Sequence, residues 1–378
     1  YSDAAVLYRS NAQSRALEEA LLRSSIPYRI YGGQRFYERM EIKNAIAYLK
    51  IIFNNSDNPA FERSISNPTR GVGEKTLAKI RSTATKYNIS YIKASAKLID
   101  EGAIAGRGGA GLKSYLEFIA RSKEFIEENT LSDLMEEIIK TSGLVAYHAK
   151  EPGEKGKTRV ENLEELVSAT TNFEQSVREQ KTNIEVAEDY LDMISLDSGD
   201  RQASEHDDAA QLMTMHSAKG LEFKLVLMTG LEETLFPHGR SMENPGQLQE
   251  ERRLCYVGIT RAMEKLYITH AESRRLHGSD TFNPPSRFIK EIPKDLINEI
   301  RPRAQTHIPY NRKDFKETKL EFEDEIGISL GQRVMHKSFG EGVVLNYEGS
   351  GEAARVQINF DQAGTKWLVM AYANLEKL

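Results

Sequence analysis

Gln211-Leu212-Met213-Thr214-Met215 is an apolar run of strand length that leads directly into the polar stretch His216-Ser217-Ala218-Lys219-Gly220. It reopens a pattern that the chain abandoned near its start. There, Ala4-Ala5-Val6-Leu7-Tyr8 reads as a strand buried on both faces. Ser10 or Asn11 can cap the helix that follows, in which Leu17, Ala20 and Leu21 recur at helical spacing. Pro27 ends that helix, and Tyr28-Arg29-Ile30-Tyr31 is a second strand closing in Gly32-Gly33. After Met215, strand-like runs continue at Leu225 to Thr229 and Leu266 to His270, with a helix from about Gln249 to Ala262 before the last. Neither half has enough strands for a covered parallel sheet, so one interrupted α/β domain accounts for both.

From about Glu41 to Ser198 the periodicity is helical, as in Ala45 to Phe53, Leu116 to Ile126 and Leu163 to Thr170. A polar stretch from Asp197 through Asp207-Asp208 suits a hinge or loop. Beyond Pro293, Arg301, Arg303, Arg312, Lys313, Lys316 and Lys319 precede the acidic run Glu321-Phe322-Glu323-Asp324-Glu325, the composition of a linker. From Gly331, short β-type runs around Val334, Val343-Val344, Val356 to Phe360 and Trp367 to Val369 alternate with glycine turns and predict a small β-barrel. Trp367, Tyr347 and Phe360 are expected to fill its core. The predicted segments are 1–40 and 206–293 for the α/β domain, 41–205 for an α-helical insert domain, 294–328 for the linker and 329–378 for the barrel.

The chain has 378 residues, 51 Lys+Arg against 56 Asp+Glu, a net charge of -5 and one cysteine. A slightly acidic balance argues against indiscriminate coating of nucleic acid but leaves room for a local basic groove. Cys255 cannot form an intrachain disulfide, which fits a reducing cytosol. No apolar run approaches the ~20 residues of a membrane span, and no metal-ligand set is apparent. The first residues, Tyr1-Ser2-Asp3, lack a methionine and predict a piece of a longer protein.

Two segments imitate a phosphate loop. Gly156-Lys157-Thr158 ends like one, but Glu151 occupies the first glycine position and Pro152 follows, so a solvated loop before a helix at Val160 is expected. In Gly71-Val72-Gly73-Glu74-Lys75-Thr76, Glu74 separates the glycine from the lysine. Neither anchors a nucleotide.

The chemistry concentrates in Thr214-Met215-His216-Ser217-Ala218-Lys219-Gly220-Leu221-Glu222-Phe223 and in Gln249-Glu250-Glu251-Arg252-Arg253-Leu254-Cys255-Tyr256-Val257-Gly258-Ile259-Thr260-Arg261-Ala262, both expected where strands end and ligands bind. These residues resemble motifs V and VI of the superfamily 1A DNA helicases. Tyr8-Arg9-Ser10-Asn11-Ala12-Gln13-Ser14-Arg15 is similar to motif IVa, and Pro27 to Tyr48 continues the likeness. The resemblance covers nearly the whole chain and is closest to the UvrD/PcrA/Rep group. Gly331-Gln332-Arg333-Val334 through Phe339-Gly340-Glu341-Gly342 resembles the Tudor-like tail, of SH3-like type, that Rep lacks.

The resemblance implies a RecA-like domain 2A interrupted by domain 2B, in the carboxy-terminal half of a 3′–5′ DNA helicase acting in repair. The Walker A and B segments are not among these residues, so ATP and Mg²⁺ would be bound mainly by an amino-terminal half, and the fragment alone is expected to lack ATPase activity. Arg261 corresponds to the arginine finger, a role that suits a permanently charged planar fork of donors. Glu222 corresponds to the acceptor of a ribose hydrogen bond, with Gly220 allowing close approach. Arg9, Asn11, Thr214, His216 and His238 are implied for the single-strand track, as phosphate or sugar ligands that read no sequence. A capping or core hydrogen bond is the alternative for each.

In the insert, Asn67-Pro68-Thr69-Arg70-Gly71-Val72-Gly73 before a helix at about Thr76 reads as a glycine turn exposing amides to phosphate. It resembles a helix-hairpin-helix element for the duplex of a forked substrate, with Thr69, Gly71 and Gly73 as its contacts. Gly106 to Gly111 is a second candidate turn, or an ordinary helix connection. For the barrel, RNA polymerase or nucleotide-excision-repair proteins are the implied partners, with DNA binding through Arg333, His336 and Lys337 as the alternative. The implied location is the bacterial cytoplasm, at the nucleoid. Two other readings stand beside this one: a non-enzymatic DNA-binding or docking module, and a RecB-like or AddA-like subunit, against which stands the lack of a nuclease region after motif VI.

Overall fold

The computed structural model describes residues 1–177, 181–197, 203, 207–271, 273–276, 279–300, 332–348, 355–360, 363–369, 373 and 375–377. The chain divides into two compact units, Tyr1–Asn298 and Glu299–Leu378.

The larger unit opens with β1 (Ala4–Tyr8), a 3-10 turn (Asn11–Gln13), α1 (Ser14–Arg23) and β2 (Tyr28–Ile30). A run of helices follows: α2 (Met40–Phe53), α3 (Asn58–Ser66), α4 (Glu74–Tyr87), α5 (Tyr91–Asp100), α6 (Gly106–Glu128), α7 (Leu131–Thr141), α8 (Leu144–His148), α9 (Glu154–Val177) and α10 (Asn183–Asp197). Then come β3 (Ala210–Thr214), β4 (Phe223–Met228), α11 (Pro245–Ile259), β5 (Ala262–Ile268), the hairpin β6 (Arg274–Leu276) and β7 (Ser279–Thr281), and α12 (Arg287–Lys290).

Five strands make one parallel sheet in the order β2-β3-β1-β4-β5. The strand that opens the second segment sits between the two strands of the first: Val6 pairs with Leu212, and Leu212 also faces Ile30. Alternation along β1 sends Ala5 and Leu7 to one face, where Met213, Val226, Met228 and α11's Leu254 and Cys255 close around them. Val6 and Tyr8 go to the other face, with Tyr28, Ile30, Leu212 and the partly buried Leu17 and Leu21 of α1. Both faces are covered, as a parallel sheet requires. The helices α2 to α10 share a separate apolar core, in which Tyr48, Phe61 and Tyr115 are fully buried.

Several expectations need correction. Gly156-Lys157-Thr158 is not a loop but lies in the first turns of α9, where Gly156 is buried against the carbonyls of His148 and Glu151. Gly106 to Gly111 is not a turn: it forms the first turns of α6. The helix expected to reach Ala262 ends at Ile259, and β5 starts at Ala262. Most of the polar stretch from 198 to 206 and the basic and acidic runs of the expected linker lie outside the described residues.

The smaller unit is an antiparallel sheet of β8 (Arg333–His336), β9 (Gly340–Glu348), β10 (Arg355–Phe360), β11 (Gly364–Val369) and β12 (Leu375–Lys377), in the order β11-β10-β9-β8-β12. Val334, Val344, Val356, Ile358 and Phe360 fill one face. Phe360 joins this core as expected, but Trp367 does not. It pairs across the ladder with Gln357, on the face opposite to Val356 and Ile358, and is 36% exposed. Among the described residues, no helix is long and apolar enough to cross a membrane.

Candidate functional site

A parallel sheet has two unlike ends, and the site residues divide between them. Arg9 and Asn11 follow β1, and His216 follows β3, which ends at Thr214. These four lie at the carboxyl ends of adjacent central strands. Gly220 and Glu222 precede β4 and Arg261 precedes β5, so they lie at the amino ends. The expectation that both motifs sit where strands end therefore holds for Thr214 and His216 but not for Gly220, Glu222 and Arg261. Each of the latter three is in a loop entering a strand.

At the amino ends, Arg261 is held by oxygen acceptors from three residues. Its Nε donates to the Val257 carbonyl (3.0 Å), one Nη to the Leu221 carbonyl (2.7 Å) and the other to Thr260 Oγ1 (3.0 Å). The Phe223 amide donates to the Arg261 carbonyl (2.9 Å), which closes motif V against motif VI. Glu222 is exposed beside this contact. Gly220 has φ +87°, and open space surrounds the position of a missing Cβ. The left-handed backbone explains the glycine. A half-buried guanidinium, an exposed carboxylate and an open backbone fit the flank of a nucleotide. They do not fit its phosphate cradle: Gly156 is inside a helix, and no cluster of metal-ligating side chains occurs among the described residues.

At the carboxyl ends, a capping box shapes the start. Gln13 Oε1 accepts the amides of Arg9 (3.0 Å) and Ser10 (2.9 Å), while Ser10 Oγ accepts the Ala12 amide. Arg9 emerges to meet Glu251 of α11, with Nε 3.0 Å from both carboxylate oxygens and Nη2 2.7 Å from one. The same carboxylate accepts the His238 amide (3.2 Å) and Ser241 Oγ (3.4 Å). Burial pushes the Glu251 carboxyl up, but Arg9 and the His238 amide hold it below the usual carboxylate range. His238 Nδ1 accepts the Arg240 amide, and its Nε2 lies 3.4 Å from Glu161 of α9. Ser10 Oγ donates to that same Glu161 (2.6 Å). His216 is exposed, and its pKa is lowered by partial desolvation and by the Arg9 charge, against the opposing pull of Glu251.

Arg9, His216 and His238 thus gather in one charge network. Thr214 adjoins it, but its hydroxyl is engaged with Ser217, both with the side chain (2.9 Å) and with the amide (3.2 Å). Asn11 faces elsewhere, lining a cavity of about 370 Å³ with Arg39, Lys155, Arg159 and Asn162. Thr69, Gly71 and Gly73 form a third group within the helical region. Val72 is buried beneath them, and Gly73 caps α4 with its surroundings open. The Gly106–Gly111 stretch serves packing: a Cβ on Gly111 would lie 1.9 Å from the Arg70 carbonyl.

Sequence reasoning missed Glu251 and Glu161. Glu251 stands in the quoted motif at a position that α11 buries, a helical-face signal that was available. Glu161 gave none, because its partners are more than 70 residues away along the chain.

Residues 1–273 match the UvrD-like helicase C-terminal domain, and residues 330–377 match the PcrA/UvrD tudor domain. Over 377 residues the chain is 47% identical to DNA helicase II of Escherichia coli, covering 100% of this chain and 52% of that protein. DNA helicase II of Haemophilus influenzae is also 47% identical, with 51% of it covered. ATP-dependent DNA helicase PcrA of Bacillus subtilis is 37% identical over 389 residues, again across 100% of this chain and 52% of the relative. The chain spans about half the length of the curated relatives it matches. With a parallel sheet carrying motif-bearing loops at both ends and an antiparallel β unit after it, the chain belongs to the UvrD-like helicase family.

Proposed function

We propose that this chain is the carboxy-terminal portion of an ATP-dependent 3′–5′ DNA helicase acting in DNA repair. The observation that carries the reading is the division of the site residues between opposite ends of one sheet, with α11 spanning from one to the other. Arg261, Glu222 and Gly220 form one wall of an ATP cleft whose phosphate loop and Mg²⁺ site belong to an amino-terminal RecA-like half. Arg9, Asn11, Thr214, His216 and His238 contribute to a single-strand track. Residues 41–205 act as an inserted domain 2B, in which Thr69, Gly71 and the amides around Gly73 grip duplex phosphates at a fork. The carboxy-terminal unit docks a protein partner, RNA polymerase or a nucleotide-excision-repair protein. Its outward Trp367 and Leu345, 36% and 50% exposed, favour that use. The setting is cytoplasmic, at the nucleoid.

Hydrolysis chemistry is supplied by ATP and its metal when both halves are present. What this chain contributes is a fixed cation at the cleft wall and a strand-contacting surface moved by cleft closure. The purified chain should show no ATPase activity with single-stranded DNA. Adding the amino-terminal half of a DNA helicase II should restore turnover, and Arg261→Ala should cut it by ~10³. Turnover by the chain alone would sink this reading. Affinity for forked DNA should fall steeply with salt.

A further inference from the structure

We propose that Glu251 is the positioning residue of the strand track: it fixes the orientation of Arg9 and His238 and ties both to the helix that ends beside Arg261. The inference rests on the reading of Arg9 and His238 as strand contacts. Glu251 is only 4% exposed, yet it is charged and receives donors from the exit of β1 and from the loop before α11. Its neighbour Glu250 is solvated and paired with Arg253 within the same helix. The two adjacent carboxylates therefore have different tasks.

A guanidinium is planar, so a carboxylate on its Nε and Nη2 edge dictates where Nη1 points. Among the described contacts Nη1 of Arg9 has no partner, which leaves that edge for a phosphate oxygen. Glu251 likewise pins the His238 backbone, while His238 Nε2 faces the Glu161 carboxylate that also accepts Ser10 Oγ, so a strand phosphate reaching this ring must displace that carboxylate. From Glu251 to Ile259 the helix runs about 12 Å at ~1.5 Å per residue, and Arg261 follows two residues later at the other end of the sheet. A shift of α11 along its axis therefore moves strand contacts and cleft wall together.

The test is a double-mutant cycle on the 378-residue chain, read as fluorescence anisotropy of a labelled oligo-dT at several salt concentrations. Arg9→Ala and Glu251→Ala should each weaken binding about tenfold, and the double variant should be no weaker than Arg9→Ala alone. Both single variants should lower the salt slope by ~1 contact. Glu251→Gln, which keeps size and one acceptor, should bind with intermediate affinity and guards against collapse of the alanine variant. A merely structural role would give additive losses and an unchanged slope, and would overturn the inference. So would tighter binding by Glu251→Ala, since Glu251 would then act only to repel phosphate. Parental affinity in both glutamate variants with Arg9→Ala impaired overturns positioning alone. Parental affinity in Arg9→Ala, or no binding by the parent chain, overturns the track reading and the inference with it.

Discussion

At the scale of single residues, the site is a set of charges whose partners are remote in the chain. Arg9 and Glu251 are separated by 242 positions and Ser10 and Glu161 by 151. The motif residues were legible because their spacing is local. Their counter-ions were not, because only the folded topology brings them together. His216 offers a direct measurement. Partial desolvation, aided by Arg9, lowers its pKa below the ordinary histidine value. The folded ring therefore resists the proton that the unfolded chain accepts. Its effect on stability is absent at neutral pH and grows unfavourable as pH falls through about 6.5, levelling off below the lowered pKa. An NMR titration should find the His216 midpoint below that of a free histidine. Arg9→Gln should raise it, since the variant removes a repelling charge and frees Glu251 to attract the imidazolium. A midpoint at or above 6.5 in the parent chain would contradict this environment.

At the scale of elements, helix existence was readable throughout the helical region, and the errors fall where tertiary packing overrides propensity. Gly106-Arg107-Gly108-Gly109-Ala110-Gly111 looks like a turn because glycine is a poor helix former. It is helical because α6 must approach the Arg70-Gly71 turn closely enough that no side chain fits at Gly111. Arg70 secures that turn from the other side by donating to the carbonyls of Ser64, Pro68 and Ser142 while lying over the rings of Tyr48 and Tyr115. Gly111→Ala should therefore destabilise the larger unit by ~1–3 kcal/mol, since backbone and not a mobile side chain obstructs the methyl. Gly73→Ala, with φ -97° and open space, should cost only the difference between glycine and alanine at a helix N-cap, under about 1 kcal/mol. Urea midpoints of the two variants decide it, and equal midpoints would refute the packing argument. The end of α11 failed for a related reason. Arg261 and Ala262 suit a helix by type, but the chain must turn at once into β5.

For the whole molecule, acid stability follows from how its carboxylates are held. Burial pushes Glu232 and Glu233 up, but Arg274 and the Ala271 amide hold the first below its usual range, and Arg287 the second; Glu161 and Glu251 are also lowered. For such groups the stabilisation is present above the unfolded value of ~4.3 and is lost as pH falls through and below it. Glu18 and Glu165 run the other way, raised chiefly by burial, and their contribution is lost as pH rises through the folded value. Glu62, Glu151, Glu185, Asp208 and Glu291 are lowered too, so among the described residues nine lowered carboxyls against two raised ones predict that the melting temperature drops between pH 5 and pH 3. Glu232→Gln should melt lower at pH 7 and show a shallower drop, because Glu232 is completely buried and paired with Arg274. A parallel downward offset at both pH values would remove Glu232 from the acid response.

The interleaved strand order also constrains how the chain is made. β1 pairs with nothing from its own segment: its neighbours are β3 and β4, and Ala5 waits for Gln211. At ~5–20 residues per second, a ribosome needs roughly 10–40 s to deliver those partners. For that interval the emerging chain carries an apolar strand with two open edges, while α2 to α10 can complete their own core behind it. Synthesis thus imposes an order, helical region first and sheet last. It also leaves β1 without its partners for longer than any other strand in this sheet, its edges open to pairing with other chains.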